Sequence, residues 1–261
     1  MPTHLVIGDP HATPHFNNER FTLLGKLIVD LMPDVIINIG DMADMSSLCS
    51  YDKGKKSFEG RRYKADIAAT IDAQEKLFAP MNEYNARASA NRKRQYKPRM
   101  VLTLGNHENR INRAVENQAE LEGVISIDDL KYEDFGWELH SFLSPVVIDG
   151  VCYAHYFMSG VMGRPIGGDN LAASLINKKH MSCTQGHIHT RDFAERTNPE
   201  GKKLIGLSAG CFLDVDQEEG YAGEANKLWW RGVVMCHDVV DGGYEPEFIS
   251  MQQIRNRYGE K

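Results

Sequence analysis

The sequence lacks paired cysteines, long apolar runs and low-complexity tracts, and each absence excludes a class of protein. Its five cysteines are scattered with no C-x-x-C pair, which argues against a disulfide framework or a zinc knuckle and favours a reducing compartment. No apolar run approaches the roughly 20 residues that a membrane-spanning helix needs. The first residues carry no basic stretch typical of a secretory leader. We therefore expect a cytoplasmic protein without membrane association.

What is present is the composition of an ordinary globular protein. Hydrophobic residues make up 42% of the 261 positions and charged residues 25%, which excludes a disordered, collagen-like or coiled-coil chain. A chain of this length buries roughly three quarters of its unfolded surface. We expect one domain over residues 1–261, with an elaboration inserted into it.

Charge is unevenly distributed along the chain. The formal net charge is −6, from 30 basic and 36 acidic residues. Residues 53–99 nevertheless hold thirteen basic and five acidic residues, a net charge of +8, so the remainder carries −14. A basic segment in an acidic protein indicates either a surface for a polyanion such as nucleic acid or a solvated face that balances the acidic body.

The first 40 residues predict a strand–helix–strand unit. Residues 5–7 form a short apolar run that stops at a turn sequence, which is typical of a buried strand. Asn17 or Asn18 can cap a helix that continues to about Leu31. Residues 35–39 are a second buried strand. The short connections make the two strands parallel neighbours.

A longer connection joins the second strand to the third. Residues 46–62 predict a loop, and residues 63–94 predict one or two helices, broken near Pro80 because proline removes a backbone N–H donor. Residues 100–104 are a third buried strand. The gap is about twice what a crossover helix needs, so we interpret residues 46–97 as a basic helical insertion in the crossover.

The second half of the sequence has mostly β-strand patterns. A hairpin is predicted around Asp149-Gly150, a preferred type I′ turn. Asp169 or Asn170 can cap a short helix after the glycine-rich loop at residues 160–168. The expected strands cover residues 146–148, 151–154 and 181–185, with others near 204–208, 233–237 and 248–251.

Five predicted strand ends carry polar clusters. They are Asp9-Pro10-His11, Gly40-Asp41, Asn106-His107, His155 and His187-Ile188-His189. Because ligands bind at the carboxyl ends of parallel strands, we expect these side chains to converge. In extended chain, residues i and i+2 point to the same side, so each D-x-H or H-x-H pair presents two ligands together. Asp and His suit Mn²⁺, Fe or Zn²⁺, and seven such residues are enough for two ions that share a carboxylate.

Each motif taken singly has an ordinary structural explanation. Asp9 and Asp41 are common turn residues, Asn106 can cap a helix, and His155 can be a hydrogen-bonded core histidine. Five motifs in order, each directly after an apolar strand, favour a metal site over coincidence. The histidines expected to be ordinary surface or core residues are His4, His15, His140, His180 and His237.

The order of the motifs resembles that of the calcineurin-like metallophosphoesterase superfamily. Its pattern is D-x-H, G-D-x-x-D, G-N-H-[DE], a lone His and G-H-x-H. The sequence matches this pattern at residues 9–11, 40–44, 105–108, 155 and 186–189, with no motif residue missing. The resemblance implies an α/β fold (α+β in some schemes), a four-layer α-β-β-α sandwich of two mixed sheets. The compact build suits a nuclease-like member from a phage or bacterium.

The resemblance also implies a role for each motif residue. Two divalent metal ions would be held by Asp9, His11 and His189 on one side and by Asn106, His155 and His187 on the other, with Asp41 bridging both. Manganese is favoured, with iron, zinc or nickel as alternatives. His107 would be the catalytic residue beside the scissile phosphate, and Asp44 would orient a ligand or cap the segment after it. The implied reaction is hydrolysis of a phosphodiester or phosphomonoester by a metal-bridged hydroxide.

The basic insertion favours nucleic acid, DNA or RNA, as the substrate. Arg61 and Arg62 are candidate phosphate contacts, because binding a phosphate backbone requires a cationic surface. The aromatic residues available to stack bases are Tyr51, Phe58, Tyr63 and Tyr96. Protein phosphatase activity is disfavoured, since the superfamily's phosphatases carry Arg-Gly and Arg where this sequence has Met45-Ser46 and Leu104.

A small phosphodiester or nucleotide is the alternative substrate. The glycine-rich loop at residues 160–168 would enclose it, with Arg164 as a phosphate clamp. Arg110 is the candidate phosphate contact closest to the G-N-H-E motif. A more remote alternative is a non-catalytic scaffold of the same fold, which the complete ligand set disfavours.

Overall fold

The computed structural model of the protein describes residues 1–220 and 222–259. The helices are α1 (Glu19–Leu31), α2 (Tyr63–Ala90), α3 (Asn109–Asn117), α4 (Leu171–Lys179) and α5 (Met251–Tyr258). The strands are β1 (His4–Ile7), β2 (Val35–Asn38), β3 (Arg99–Thr103), β4 (Glu138–His140), β5 (Val146–Ile148), β6 (Val151–Tyr153), β7 (Met158–Ser159), β8 (Arg164–Pro165), β9 (Ser182–Gln185), β10 (Arg191–Thr197), β11 (Lys203–Ala209), β12 (Gly232–Val240) and β13 (Gly243–Ser250). None of the helices in these ranges has the length and apolar character needed to span a membrane.

The strands form two large mixed sheets and one small hairpin. The first sheet has the order β13-β12-β1-β2-β3-β4, in which β1 to β4 are parallel and β12 is antiparallel to β1. The second has the order β10-β11-β9-β6-β5, with β11, β9 and β6 parallel. Strands β7 and β8 pair only with each other. The predicted α/β fold with two mixed sheets is confirmed.

Alternating side chains place the sheets between layers of helices. In β1, Leu5 and Ile7 belong to the core beneath α1 and α2, whereas Val6 belongs to the core between the two sheets. A third core packs the outer face of the second sheet against α4, through residues such as Cys183 and Leu175. The order of layers is therefore helix, sheet, sheet, helix, as the family resemblance implies.

The register of the strands brings their carboxyl ends to one edge of the molecule. In the first sheet, Ile7 lies opposite Asn38, and Asn38 lies opposite Leu102. In the second sheet, Tyr153 lies opposite Thr184. Each of these strands is followed within a few residues by one of the five polar motifs, so the fold collects the motifs at this edge.

The predicted break near Pro80 is wrong, because α2 is one continuous helix of 28 residues. The side chains of Leu77, Phe78 and Met81 around the proline are buried in the core under the first sheet. Gly25 of α1 gives this part of α2 the space to approach, since a Cβ there would lie 2.9 Å from the Pro80 ring and 2.3 Å from the Leu77 carbonyl oxygen. Packing against α1 therefore outweighs the proline penalty of roughly 3 kcal/mol.

Other boundaries agree with the sequence or differ for identifiable reasons. The type I′ hairpin between β5 and β6 is present, with positive φ angles of 48° at Asp149 and 84° at Gly150. The last strand ends earlier than expected, because Ser250 and Gln253 form a capping box that starts α5 at residue 251. Asn170 stands at the start of α4, but its side chain makes no capping hydrogen bond.

Candidate metal centre

The seven predicted ligands converge at the carboxyl edge of the sheets. Two sets bring ligand atoms within 4.8 Å of one another: Asp9, His11 and His189 form the first group, and Asp41, His155 and His187 form the second group. Asn106 joins the second group, since its Oδ1 lies 2.8 Å from His155 Nε2. Ligands that are spread between residues 9 and 189 of the chain thus lie in one compact cluster.

Asp41 lies between the two groups. Its Oδ2 is 3.3 Å from His155 Nε2 and 3.8 Å from His11 Nε2. It is also 3.8 Å from His107 Nε2, and Asp41, His11 and His107 form a third set of close ligand atoms. A carboxylate in this position is within reach of both groups, which is the position a bridging ligand needs.

The surroundings of His155 indicate that a cation belongs among these atoms. Its Nδ1–H donates to the Ile39 carbonyl at 2.9 Å, so the neutral ring directs a lone pair from Nε2. That nitrogen faces two oxygen acceptors, Asn106 Oδ1 at 2.8 Å and Asp41 Oδ2 at 3.3 Å, and a ring nitrogen, His187 Nδ1, at 3.2 Å. Acceptors that face one another repel unless a cation lies between them. The donor set therefore fits a metal ion, with the backbone carbonyl fixing the tautomer.

The first group also contains buried ring nitrogens that suit a metal ion. Both ring nitrogens of His11 and Nδ1 of His189 are buried without a close hydrogen bond within the described residues; the acceptors facing the His11 ring are Asp44 Oδ1 at 3.5 Å and Asp41 Oδ2 at 3.8 Å. An unpaired buried polar atom costs free energy comparable to a lost hydrogen bond. A metal ion coordinated by one nitrogen of each ring would remove part of that cost.

Burial keeps three of the histidines in the form that binds metals. It lowers the pKa of His155, and burial together with nearby His155 lowers the pKa of His187 to about 4. Burial and the neighbouring His11 lower the pKa of His189 well below its ordinary value. All three imidazoles are therefore neutral near pH 7, and neutral imidazole is the metal ligand.

The pKa values of the two buried aspartates, Asp9 and Asp41, are shifted as well. Burial and the nearby Asp41 raise the pKa of Asp9 well above its ordinary value. Burial also raises the pKa of Asp41, but His107, His155 and the other nearby histidine outweigh burial and hold it low. Two buried carboxylates at close range thus favour a bound positive charge, which a divalent cation supplies.

The backbone at the ligands is not the extended chain that the sequence predicts. Left-handed φ angles occur at Asp9 (38°), His11 (45°), Asp41 (51°), His187 (70°) and His189 (63°). The expected i, i+2 geometry is therefore wrong, although both side chains of each pair do reach the centre. Tight loops, with each ligand held individually, replace the extended segments.

Two motif glycines leave room for the carboxylates. A Cβ at Gly105 would lie 2.0 Å from Asp41 Oδ1, and a Cβ at Gly186 would lie 2.2 Å from Asp9 Oδ2. The same loops hold the carboxylates through backbone N–H groups, because His107 N donates to Asp41 Oδ1 at 2.8 Å and His187 N donates to Asp9 Oδ2 at 2.9 Å. Any side chain at either glycine would displace a predicted ligand.

Glu108 is a buried carboxylate whose role the sequence does not reveal. Its Oε2 accepts hydrogen bonds from the backbone N–H groups of Asp41 and Gly105, at 3.0 and 2.9 Å. Its Oε1 accepts from Ala43 N at 3.0 Å and from the Tyr132 hydroxyl at 3.1 Å. Glu108 therefore ties the second and third motif loops together; the available signal is the acidic fourth position of G-N-H-E.

His107 is held in one orientation by Asp44 and Arg110. The ring Nδ1–H donates to Asp44 Oδ1 at 3.0 Å and to the Asp44 carbonyl at 2.8 Å, and Arg110 donates to Nε2 at 3.1 Å. Burial raises the pKa of Asp44, but hydrogen bonds to His107 and the charge of His11 outweigh it, so that pKa lies well below its ordinary value. Asp44 is therefore an ionised carboxylate against His107.

A cavity of about 400 Å³ opens beside His107. Of the predicted arginine contacts, Arg110 and Arg61 line it. Arg62 is exposed at the start of α2 and Arg164 is exposed on β8, and neither lines this cavity. The structure thus places two of the four arginines next to the site.

The basic insertion divides into two surfaces at opposite ends of α2. Residues 50–64, the site-side basic loop, hold six basic and two acidic residues before and at the start of the helix. Residues 92–99, the far-edge basic segment, lead into β3 and lie at the amino ends of the strands. The 28-residue helix between them is about 42 Å long. Of the two surfaces, the site-side basic loop is the one near the metal centre.

The aromatic residues of the insertion are mostly engaged elsewhere. The Tyr63 hydroxyl donates to Asp129 at 2.7 Å, and the Tyr96 hydroxyl donates to the Pro33 carbonyl at 2.7 Å at the far edge. Phe58 lies under the Arg61 guanidinium, 5.6 Å from it. Tyr51 is 80% exposed in the site-side basic loop.

Two facing mixed sheets between helix layers, with an Asp/His cluster for two cations at their carboxyl edge, define a dinuclear metallohydrolase. The sequence profile of the calcineurin-like phosphoesterase family matches residues 3–259, and the chain belongs to this family. It is a metal-dependent hydrolase of phosphoric esters, as the motif order predicts. A sequence search finds no matching curated protein.

Proposed function

We propose that the protein hydrolyses phosphodiester bonds of nucleic acid at this metal centre. The ligands would be Asp9, His11 and His189 for one ion and Asn106, His155 and His187 for the other, with Asp41 shared. Two divalent cations, when bound, supply Lewis-acid activation of water and of the phosphoryl group. The mixed oxygen and nitrogen donors favour Mn²⁺, with Fe, Zn²⁺ or Ni²⁺ as alternatives.

In the proposed reaction, a water oxygen bonds to phosphorus while the bond from phosphorus to the leaving oxygen breaks. The leaving oxygen takes up a proton, so the products are an alcohol and a phosphomonoester. Asp44 accepts from His107 Nδ1 and leaves Nε2 facing Arg110. Once Nε2 carries a proton as well, that N–H, in place of the bond from Arg110, would hydrogen-bond the phosphate or deliver the proton as a general acid. Arg110 is placed to contact a phosphate oxygen.

The observation that carries the choice of nucleic acid is the site-side basic loop. Lys55 and Arg61 from this loop line the same cavity as His107. Lys53, Lys56 and Arg62 lie exposed in the same stretch of chain. A cationic surface adjoining the catalytic cavity is what a phosphate backbone would contact on either side of the cleaved bond.

The cavity also favours a second candidate substrate, a small phosphodiester. Asp52 forms ion pairs with Lys55 and Arg61, each at 2.9 Å, and Glu218 and Glu219 line the cavity as well. These acidic groups offset much of the local positive charge. A volume of about 400 Å³ lies in the range of small-molecule sites.

Charge neutralisation at each end of α2 tests the nucleic-acid proposal. One variant replaces Lys53, Lys55, Lys56 and Arg62 by Gln; its matched control replaces Arg92, Lys93, Arg94 and Lys97 by Gln. Arg61 is kept because it donates to the Ser46 carbonyl and to Asp52. The KM for single-stranded DNA is measured with Mn²⁺ at about 50 and about 200 mM salt, with bis-aryl phosphate as the small substrate.

We expect the site-side variant alone to raise the KM for DNA. The slope of log KM against log salt concentration should also fall, by about 0.7 for each phosphate that the protein no longer neutralises. Its hydrolysis of bis-aryl phosphate should match that of the control. Equal effects of the two variants on DNA would contradict the proposal. Efficient hydrolysis of bis-aryl phosphate without DNA cleavage would support the small phosphodiester instead.

A further inference from the structure

Two aromatic side chains lie against the metal centre, one at each ligand group. Trp229 packs on His189, with ring centroids 4.3 Å apart and planes at 75°. Tyr156 packs on His187, with centroids 4.6 Å apart and planes at 42°, and lies 5.6 Å from His155. The proposed hydrolysis uses neither ring.

Separate parts of the chain position the two rings. Tyr156 directly follows His155, the predicted ligand after β6. Phe142 contacts the Tyr156 ring edge-on, with ring centroids 5.5 Å apart. Trp229 precedes β12, and the backbone N–H of Trp230 donates to the His189 carbonyl at 3.0 Å. Both aromatic residues are at least partly exposed to solvent. Rings fixed in advance lose little conformational entropy when a ligand packs on them.

The two rings lie at different ends of the ligand cluster. Trp229 contacts the first group, whose His189 ring lies 5.1 Å from that of His11. Tyr156 contacts the second group, whose His187 ring lies 5.0 Å from that of His155. A phosphodiester bound across both groups has two substituents. One aromatic ring lies on the side of each substituent.

We propose that Trp229 and Tyr156 stack on the two nucleobases that flank the scissile phosphate of an unpaired strand. Aromatic side chains bind bases of any sequence because every base has a π face. Bases in a duplex are already stacked on each other, so both rings can be used only by unpaired nucleotides. The inference rests on the proposed hydrolysis of nucleic acid and narrows its substrate to single-stranded DNA or RNA.

The test compares two strands of equal length, one with all its bases and one built from tetrahydrofuran abasic sites. The ratio of kcat/KM for the base-bearing strand to that for the abasic strand is measured for Trp229→Leu and Tyr156→Leu. Tyr84→Leu, at a partly exposed tyrosine of α2, is the control. We expect each site variant to lower the ratio by roughly 5-fold to 150-fold, mainly through KM, and the control to keep it.

A role limited to packing against the histidines would slow both strands equally and leave the ratio unchanged, which would overturn the inference. A lower ratio in only one of the two variants would overturn stacking on both sides. Cleavage of duplex DNA as efficient as that of the unpaired strand would also overturn the inference. If the wild-type protein hydrolyses bis-aryl phosphate but neither strand, the nucleic-acid proposal fails, and this inference fails with it.

Discussion

At the scale of single residues, backbone conformation matters as much as ligand type. Five predicted ligands have left-handed φ angles, and such positions cost on the order of 1–3 kcal/mol each. Buried polar side chains offset this cost by fixing the loops. The guanidinium of Arg20 is buried and donates to the carbonyls of Pro10, His11 and Phe212. Glu108 has the same function for the second and third motif loops.

The close approach at Gly186 predicts a selective loss of metal. In Gly186→Ala, the new Cβ would lie 2.2 Å from Asp9 Oδ2, so the carboxylate must leave its position beside His11 and His189. We expect the variant to hold less metal and to lose most phosphodiesterase activity while remaining folded. Metal content per chain and circular dichroism measure both effects.

Gly167→Ala is the matched control, because its Cβ would meet only Ile188 Cδ1 at an ordinary 3.6 Å. The control should bind as much metal as the wild-type protein. Wild-type metal content in Gly186→Ala would contradict the position assigned to Asp9.

The position of His107 predicts a loss of turnover without a loss of metal. We expect His107→Ala to keep the fold and both metal ions and to lose about 100-fold to 10,000-fold in kcat, the usual contribution of general acid–base catalysis. His237→Ala is the control, since His237 pairs with Glu247 on the surface. Undiminished hydrolysis at equal metal loading would exclude a catalytic role for His107.

The sequence identifies the candidate ligands but not the residues that support them. Ligands such as Asp9 and His155 stand directly after apolar strands, and strand ends can be located from sequence. Arg20 and Trp229 carry no such signal, because their partners are far along the chain: Arg20 bonds Phe212, 192 positions away. Interactions of this kind depend on the packed fold.

At the scale of elements, α2 decides where the positive charge lies. The helix starts near the metal centre and returns the chain to the opposite edge, so the basic segment becomes two surfaces at the two ends of a helix about 42 Å long. The sequence pattern predicts a basic helical insertion but not this separation. It also predicts a break at Pro80, because local propensity does not include the packing against Gly25.

The two sheets are joined by a buried histidine, which predicts a pH dependence of stability. His4 of β1 bonds the Tyr153 hydroxyl of β6 at 2.7 Å and Asp149 at 2.9 Å. Burial lowers the pKa of His4 below its ordinary 6.5, although Asp149 opposes this. The stabilisation from neutral His4 is therefore complete above pH 6.5 and is lost as the pH falls towards the folded-state pKa.

Urea unfolding of the wild-type protein and of His4→Gln, at about pH 8 and about pH 5.5, measures this effect. The difference in the free energy of unfolding between the two proteins should be larger at the higher pH. A difference that is constant, or larger at the lower pH, would show that His4 is not buried in its neutral form. The comparison removes contributions from the other histidines, which both proteins share.

At the scale of the whole molecule, net charge says little about the substrate. The value of −6 is the sum of an acidic body and a basic insertion. Part of the acidity belongs to the metal centre, where Asp9 and Asp41 are buried side by side and favour bound cations. The distribution of charge, and in particular the site-side basic loop, is what supports the proposed polyanionic substrate.

The central claim is that two metal ions at this edge of the sheets make the protein a phosphodiesterase. The most direct measurement is a titration of the metal-free protein with Mn²⁺ in which bound metal and hydrolysis of bis-aryl phosphate are measured together. We predict that hydrolysis reaches its plateau when two ions are bound per chain. Saturation at a single ion, or full loading without any hydrolysis, would contradict the claim.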